Sequence, residues 1–582
     1  MSARRSQAVE AARSRATLVR CSRDRIRGMM TNWNLAKIFT AVASRVPDRP
    51  CQIQGDRVIT WSEFDQRAES LAAHLLAGGV SHQGKLACYL HNCPEYMEAM
   101  TAAFKSSMVP VNTNYRYGAE EIVYLFDNAD VEVVVFHAAF SPMLELIRPR
   151  LPMIKIWYVV ADSTGFGPEW ATPYEAVAAA GYRITPGRVD PAGDDLLLLY
   201  TGGTTGLPKG VMWRQDDLFN ALGGGGSRVT GTPAAEGIDD LMSRIDPAAP
   251  VGTVALVACP LMHGTGQFSA ITVMMAGGCI VTVTSPKLDM AELMATVERR
   301  RVSAIVIVGQ AFAGPMLDHL SANPNRYDVS TIGLISSSGV MWSQENKAGL
   351  LEFMPDAVLF DSFGSSEAIG LGSSLSTRGS SQPTATFRLG PNCVVFDVTG
   401  ERVQPGSGRS GVVALGGFLP LGYYKDEAKT AQTFRSYEGR RWSVPGDFAE
   451  VNEDGTLHLL GRGSSCINSG GEKVFPEEVE EALKTHPSVL DAVCVGLPDP
   501  RFGQAICAVV EAAAGQTPDL ATLSAHVRTS LAAYKAPRAL VVVDTIGRAA
   551  NGKVDYDRLT ALAVERLAAS AAAEAAIELD RD

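Results

Sequence analysis

Short runs of valine, isoleucine and leucine alternate with helical stretches along most of this chain, and that alternation constrains its architecture more than any other feature. "GKLACYLHN" (84–92), "VEVVVFHA" (131–138), "DLLLLYTGG" (195–203), "VALVACP" (254–260), "AIVIVG" (304–309) and "TIGLISSSG" (331–339) are nearly continuous apolar runs. Strands of that kind belong inside parallel sheets covered on both faces by helices. The segments between them, such as "PEYMEAMTAAFKSS" (94–107), carry the helical spacing that supplies the cover. At 582 residues the chain exceeds what one core can serve.

The expected fold is therefore α/β, with a large N-terminal domain of layered, mostly parallel sheets and helices. "CVVFDVTGERVQPGSGRSGVVAL" (393–415) alternates strands with glycine turns and predicts a β-rich subdomain. "GRGSSCINSGGEKV" (461–474) is small and flexible in composition, and a fresh β-α-β pattern follows it. This divides the chain into a basic, disordered extension (1–30), an N-terminal domain (31–462) and a small mobile α+β C-terminal domain (463–582). Residues 161–195, 223–250 and 372–386 read as loops, and the Ala-rich C-terminal end as a loosely packed helix.

The net charge of −11 excludes general nucleic-acid binding, which needs a positive field. Ten scattered cysteines without a CxxC pair signal neither a disulfide framework nor a zinc site, and they suit a reducing compartment such as the cytoplasm. No apolar run approaches the roughly 20 residues of a membrane span. The first thirty residues hold eight arginines against one Glu and one Asp, and they lack the apolar centre of a secretory signal. They read as a disordered tail or as residues upstream of a start at Met29 or Met30; an organelle transit peptide is the competing reading.

"YTGGTTGLPKG" (200–210) follows a buried strand with four glycines, three threonines and one lysine. Glycines let backbone N–H groups converge on an anion, while threonine hydroxyls and a lysine add donors and charge, so the target is phosphate. The spacing fails the GxxxxGK[ST] pattern, because Pro208 precedes Lys209 and Gly210 follows it. By itself the segment is equally well a Gly-rich connection between strands.

Five further motifs in order decide between these readings: "PLMHGTGQ" (260–267), "DSFGSSE" (361–367), "VPGDFA" (444–449), "GRGSSCINSGGEKVFPEEVE" (461–480) and "AANGKVD" (549–555). With "YTGGTTGLPKGVMW" they resemble the adenylate-forming acyl-CoA synthetases, the superfamily that includes firefly luciferase and peptide-synthetase adenylation domains, over roughly residues 35–560. Enzymes of this kind activate a carboxylate by transferring AMP to it from ATP, then let a thiol displace the AMP.

The resemblance implies roles residue by residue. Thr201, Gly203, Thr204, Thr205 and Lys209 would hold the β- and γ-phosphates of ATP. Glu367, with Thr204, would bind Mg²⁺, which takes few protein carboxylates and several waters. Ser366, where the family has threonine, would donate to the α-phosphate; Phe363, where it has tyrosine, would stack on adenine beside Gly364, and Asp361 would accept from the adenine amino group. Asp447 and Arg462 would bind the ribose hydroxyls, with Pro445 standing where threonine is usual. His263 would line the entry of the acid's carboxylate. Lys553 would bridge carboxylate and α-phosphate during adenylation, and Gly470 and Gly471 would serve CoA after a domain rotation about Ser464, where the family has Asp or Lys.

No aspartate occurs from Leu261 to Ala270, which disfavours an amino acid substrate. "HGTGQFSA", "VGQAFAGPM" and "SSSGVMW" are small and uncharged, so a bulky or long apolar acid fits. At finer grain these segments and "LGYYKDEAKT" are similar to actinobacterial CoA ligases for fatty acids and steroid side-chain acids. The expected partners are the acid, ATP and CoA, with a homodimer by family analogy. An acyl-AMP ligase serving a carrier protein and a non-catalytic binding relative remain the alternatives.

Overall fold

The computed structural model describes residues 32–203, 206–227, 231–340, 342–380, 382–462, 467–469, 472–499, 503–531, 533–549 and 554–579. The extension 1–30 and the expected site residues Thr204, Thr205, Gly470, Gly471 and Lys553 lie outside them, as does Ser464; of Arg462 only the backbone is described.

Among the described residues the strands form sheets of fifteen, eight and five members. In the eight-stranded sheet, Ile156–Val160, Val131–His137, Lys85–Tyr89, Val109–Asn112 and Leu196–Gly203 run parallel in that spatial order. The fifteen-stranded sheet has a parallel half, Cys279–Thr282, Val254–Val257, Ala304–Ile307, Leu334–Ser338 and Val358–Ser365. It then reverses into antiparallel strands from Ala368–Ser376 onward. The apolar runs read as buried strands occupy these central positions.

Between the two large sheets lies the helix Pro94–Lys105, every residue of which is buried, touching Pro50–Gln54 of one sheet and Lys85–Tyr89 of the other. A helix so placed cannot leave a charge unpaired. Glu98, fully buried, accepts from Arg67 Nε at 2.8 Å and Nη2 at 3.1 Å and from the Tyr174 hydroxyl at 3.0 Å. Arg67 also reaches Glu175 through Nη1 at 2.8 Å. Burial lifts the Glu98 carboxyl above its ordinary value while Arg67 pulls it back.

The five-stranded sheet is built from residues 467 onward, and the helix Tyr556–Leu579 lays Leu559 and Ala563 against its Val493 and Val509. That first part of the Ala-rich helix is core, not loose surface. All three expected loops carry regular structure, and within 161–195 the helix Tyr174–Ala178 buries Tyr174 and Val177. The start of the 372–386 segment is no loop: Ala368–Ser376 is a strand paired with Val358–Ser365, its small side chains letting the backbone ladder form without an apolar pattern to announce it. Within 223–250 a short helix, Ile238–Ser243, packs Leu241 into the main core.

Candidate functional site

The glycine-rich segment continues two strands. Leu196–Gly203 and Gly206–Arg214 form an antiparallel hairpin in which Thr201 stands opposite Lys209 and Gly203 opposite Gly206. Tyr200 pairs with Gly210, and a Cβ there would come within 2.6 Å of the Tyr200 ring, which explains that glycine by close approach. Thr201 and Lys209 face a cleft of about 2050 Å³. An ordinary single-ligand pocket measures roughly 300–1,000 Å³, so this one has room for more than one ligand.

Strand parity decides which neighbours face that cleft. Along Leu334–Ser338 the lining residues are Leu334, Ser336 and Ser338; along Val358–Ser365 they include Phe360, Ser362 and Gly364. Successive side chains of a strand point to opposite faces, so Asp361 and Phe363 turn away, and neither lines the cleft. Asp361 instead meets Lys347 Nζ at 3.1 Å, both groups buried. Burial pushes its carboxyl up and Lys347 draws it down. The Phe363 ring packs on Phe387 at 5.4 Å in the β-rich subdomain's core. The adenine contacts expected of these two residues are not met by this geometry: one side chain is engaged by an internal ion pair and the other fills a core.

Ser366 and Glu367 follow at the turn and do line the cleft. The Ser366 carbonyl accepts from Trp213 Nε1 at 2.9 Å, tying this turn to the hairpin. Glu367 Oε1 accepts from the Tyr423 hydroxyl at 2.7 Å. Lys209 Nζ lies 2.9 Å from Asp426 Oδ2, and this contact holds the Asp426 carboxyl below its usual range. Tyr423 and Asp426 were not among the expected site residues. Both belong to "GYYKDEAKT", whose Gly422–Tyr423 strand pairs with Met212 and Val211 of the hairpin. No local pattern marks such a contact, because the two segments are roughly two hundred positions apart in the chain.

His263 precedes the helix Gly264–Met275 and faces the cleft. Gly264, Phe268, Thr272 and Met275 follow it along one helix face, also lining the cleft. Opposite them stand Ala255, Ala304, Val306 and Leu334 from the parallel sheet. Asp447 is buried directly after Pro445 and Gly446, which line the cleft, and its backbone pairs with that of Arg462.

The far wall comes from the C-terminal part of the chain: Gly547, Ala549, Val554, Asp555 and Arg558 line the same cleft. Arg548 anchors this segment with Nε at 2.6 Å and Nη2 at 2.9 Å from the two oxygens of Asp491. On its other side the Tyr556 hydroxyl donates to Glu480 Oε1 at 3.2 Å. Burial raises the Glu480 carboxyl from 4.5 to about 7, against the pull of Lys484 and Arg548.

A group whose folded pKa is raised stabilises the fold fully below its unfolded value and loses that contribution as pH rises through the folded one. The C-terminal domain is therefore expected to melt at a lower temperature at about pH 8 than at about pH 5.5, with Glu480→Gln flattening the difference. Calorimetric scans of both proteins across that range check this; an unchanged slope in the variant would remove Glu480 as its source.

Among the described residues no group of three or more His, Cys, Asp or Glu gathers as a metal cage, and no helix is long and apolar enough to cross a membrane. The profile of the AMP-binding enzyme family matches residues 39–424, and that of the AMP-binding enzyme C-terminal domain matches 478–553. A medium/long-chain fatty acid and 3-oxocholest-4-en-26-oate CoA ligase of Mycolicibacterium smegmatis is 40% identical over 530 residues, 90% of this chain and 95% of that one. A 3-oxocholest-4-en-26-oate CoA ligase of Rhodococcus rhodochrous is 40% identical over 535 residues, 90% of this chain and 94% of that one.

Among solved structures, an anthranilate CoA ligase in complex with anthranoyl-AMP shares the fold at a TM-score of 0.78 and 20% identity, covering 92% of this chain and 98% of its own. A Mycobacterium tuberculosis fatty acyl CoA synthetase does so at 0.66 and 20%, covering 91% and 98%. The two matched regions together wall the cleft, and the chain belongs to the AMP-binding enzyme family as an ATP-dependent, AMP-forming acid–CoA ligase.

Proposed function

We propose that the acid is a long fatty acid or a steroid side-chain acid. The observation that carries this is the groove along Gly264–Met275. Its lining is uncharged from Gly264 to Met275 and across Ala255, Ala304, Val306 and Leu334. At 1.5 Å per residue it runs for about 18 Å, and at about 1.2 Å per chain bond that accommodates roughly fifteen bonds. The substrates named for the relatives in Mycolicibacterium smegmatis and Rhodococcus rhodochrous belong to the same class.

In this reading the carboxylate enters past His263, at the N-terminal end of that helix, where the first-turn N–H groups favour an anion. A carboxylate oxygen attacks the α-phosphorus of ATP, the bond to the β-phosphate oxygen breaks, and pyrophosphate leaves. CoA's sulfur then attacks the acyl carbon and AMP departs. Thr201, Gly203, Thr204, Thr205 and Lys209 hold the β- and γ-phosphates, so ATP must draw Lys209 from Asp426. Ser366 donates to the α-phosphate, and Asp447 with Arg462 takes the ribose. Lys553 stabilises the charge passing between carboxylate and phosphate. Gly470 and Gly471 attend CoA once the C-terminal domain, 463–582, has turned.

Mg²⁺ fits the residues present. Glu367 offers a hard oxygen ligand beside the phosphate hairpin, oriented by Tyr423, with Thr204 as a second ligand, and a cation that takes its other ligands from phosphates and waters needs no cage. It would neutralise the leaving pyrophosphate. Cytoplasmic residence and a homodimer extend the reading by family analogy alone.

The test is CoA-thioester formation by mass spectrometry with Mg-ATP, CoA and a panel of C8–C18 fatty acids, steroid side-chain acids and aryl acids. Thioesters are expected from the long fatty and steroid acids. Ala304→Phe, placed across the groove's far end, is expected to abolish activity with the longest acids and spare the shortest. An unchanged chain-length profile would overturn the groove assignment, and acyl-AMP without thioester would point to a carrier protein as acceptor.

A further inference from the structure

Adenylation joins two atoms delivered by different parts of the protein. The triphosphate that carries the α-phosphorus is held, in the proposed mechanism, by the end of the hairpin from Thr201 to Lys209, and the carboxylate enters by the turn that ends at His263. Something must fix the distance between them, and one buried side chain touches both.

Asn112 ends the strand Val109–Asn112 and is 4% exposed. Its amide imitates a peptide toward Tyr200: Oδ1 accepts from the Tyr200 N–H at 2.6 Å, and Nδ2 donates to the Tyr200 carbonyl at 2.8 Å. The second Nδ2 hydrogen goes to the Met262 carbonyl at 2.6 Å. Tyr200 is the residue before Thr201, and Met262 the residue before His263. Both amide hydrogens and the carbonyl are thus used, and every partner is backbone, so the side chain has no alternative arrangement to relax into.

The same turn is held from a second side. Asn92 Oδ1 accepts from Leu261 N–H at 2.7 Å, and its Nδ2 donates to the Cys259 carbonyl at 2.9 Å. Asn92 also donates to the Val257 carbonyl at 3.4 Å, at the end of the strand before the turn, whereas Asn112 ties turn to hairpin.

We propose that Asn112 is a positioning residue that sets the approach of the acid's carboxylate oxygen to the α-phosphorus of ATP. The inference rests on the ligase reading and on the roles given there to the hairpin and to His263. Asn112 touches neither substrate. Its effect comes through geometry: a misplacement of about 1 Å between reacting groups costs on the order of a hundredfold in rate. The consequence is selective. Carboxylate-to-phosphorus approach matters only until the acyl–AMP bond exists, so the second half-reaction, starting from acyl-AMP, is insensitive to it.

The experiment compares both half-reactions in wild type, Asn112→Asp and Asn112→Ser. Asp keeps the acceptor for Tyr200 N–H but turns an oxygen toward the carbonyls of Tyr200 and Met262. Ser shortens the bridge without adding charge, and serves if the Asp variant does not fold. ATP–pyrophosphate exchange with a long-chain acid is expected to fall about a hundredfold in kcat for Asn112→Asp and by a smaller factor for Asn112→Ser. Binding of MgATP, read by titration calorimetry, and thioester formation from supplied acyl-AMP plus CoA are expected to stay within about threefold of wild type. Equal losses in both half-reactions would reduce Asn112 to a structural role and overturn the proposal, as would exchange at the wild-type rate. Failure of wild type itself to exchange pyrophosphate with any acid would instead sink the ligase reading.

Discussion

Replacing Lys553 by alanine is expected to slow acyl-adenylate formation by about 10²–10³-fold, the usual cost of removing one preorganised charge from a transition state. Ala549 and Val554 line the cleft, and in the proposed mechanism Lys553, which lies between them in sequence, meets the reacting carboxylate. An ammonium is a compact point charge on a flexible stem, suited to a carboxylate and a phosphate whose charges redistribute as their bond forms. Lys553→Arg, with a planar fork in place of that point charge, is expected to restore only part of the rate. MgATP affinity should stay nearly unchanged, because in the proposed mechanism the triphosphate is held by the hairpin. Thioester formation from supplied acyl-AMP should also persist. ATP–pyrophosphate exchange measures the first half-reaction directly, and exchange by the alanine variant at the wild-type rate would refute the assignment.

The largest expected loss of stability comes from Arg67→Met. It strips Glu98 of two hydrogen bonds at a position with no access to water, on the helix that both large sheets enclose. Removing one partner of a buried pair costs about 3–5 kcal/mol, since the remaining charge must be neutralised or left uncompensated. Glu175 loses its partner too, but it is largely exposed and contributes little.

Two further outcomes separate this account from simple loss of packing. The deficit should shrink as pH falls from about 7 to about 5, because an unpaired buried Glu98 is held above its ordinary value and takes up a proton. Pairing Arg67→Met with Glu98→Leu should recover most of the loss, as apolar replacement of a whole buried pair is often neutral. Urea unfolding of the single and double variants at both pH values gives the answer. A double variant no more stable than Arg67→Met would show that the ion pair itself contributes to the core.

Much of this was legible in residue order. Continuous apolar runs marked central parallel strands because a strand buried on both faces has no polar positions to alternate with. The glycine-rich hairpin, the "DSFGSSE" turn and the "PLMHGTGQ" turn stood out because anion binding and close backbone approach call for glycine and hydroxyl residues at short, local spacing. Local spacing is what a sequence displays. It also displayed the absence of an aspartate around His263, and with it the uncharged character of the groove along Gly264–Met275.

Which side of each element faces the cleft, and what meets there from afar, was settled by packing. Asp361 and Ser362 are adjacent in sequence, yet one pairs with Lys347 behind the sheet and the other faces the cleft; a shift of register by a single residue would exchange them. That register comes from pairing with neighbouring strands, and "DSFGSSE" carries no mark of it. Tyr423 on Glu367, Asp426 on Lys209, and Asn112 between Tyr200 and Met262 likewise arise where the chain returns upon itself. Residue order alone was enough for the class of fold and the chemistry on offer, because both depend on residue types at short range. Their orientation and mutual distance depend on contacts between distant segments, and folding alone set them.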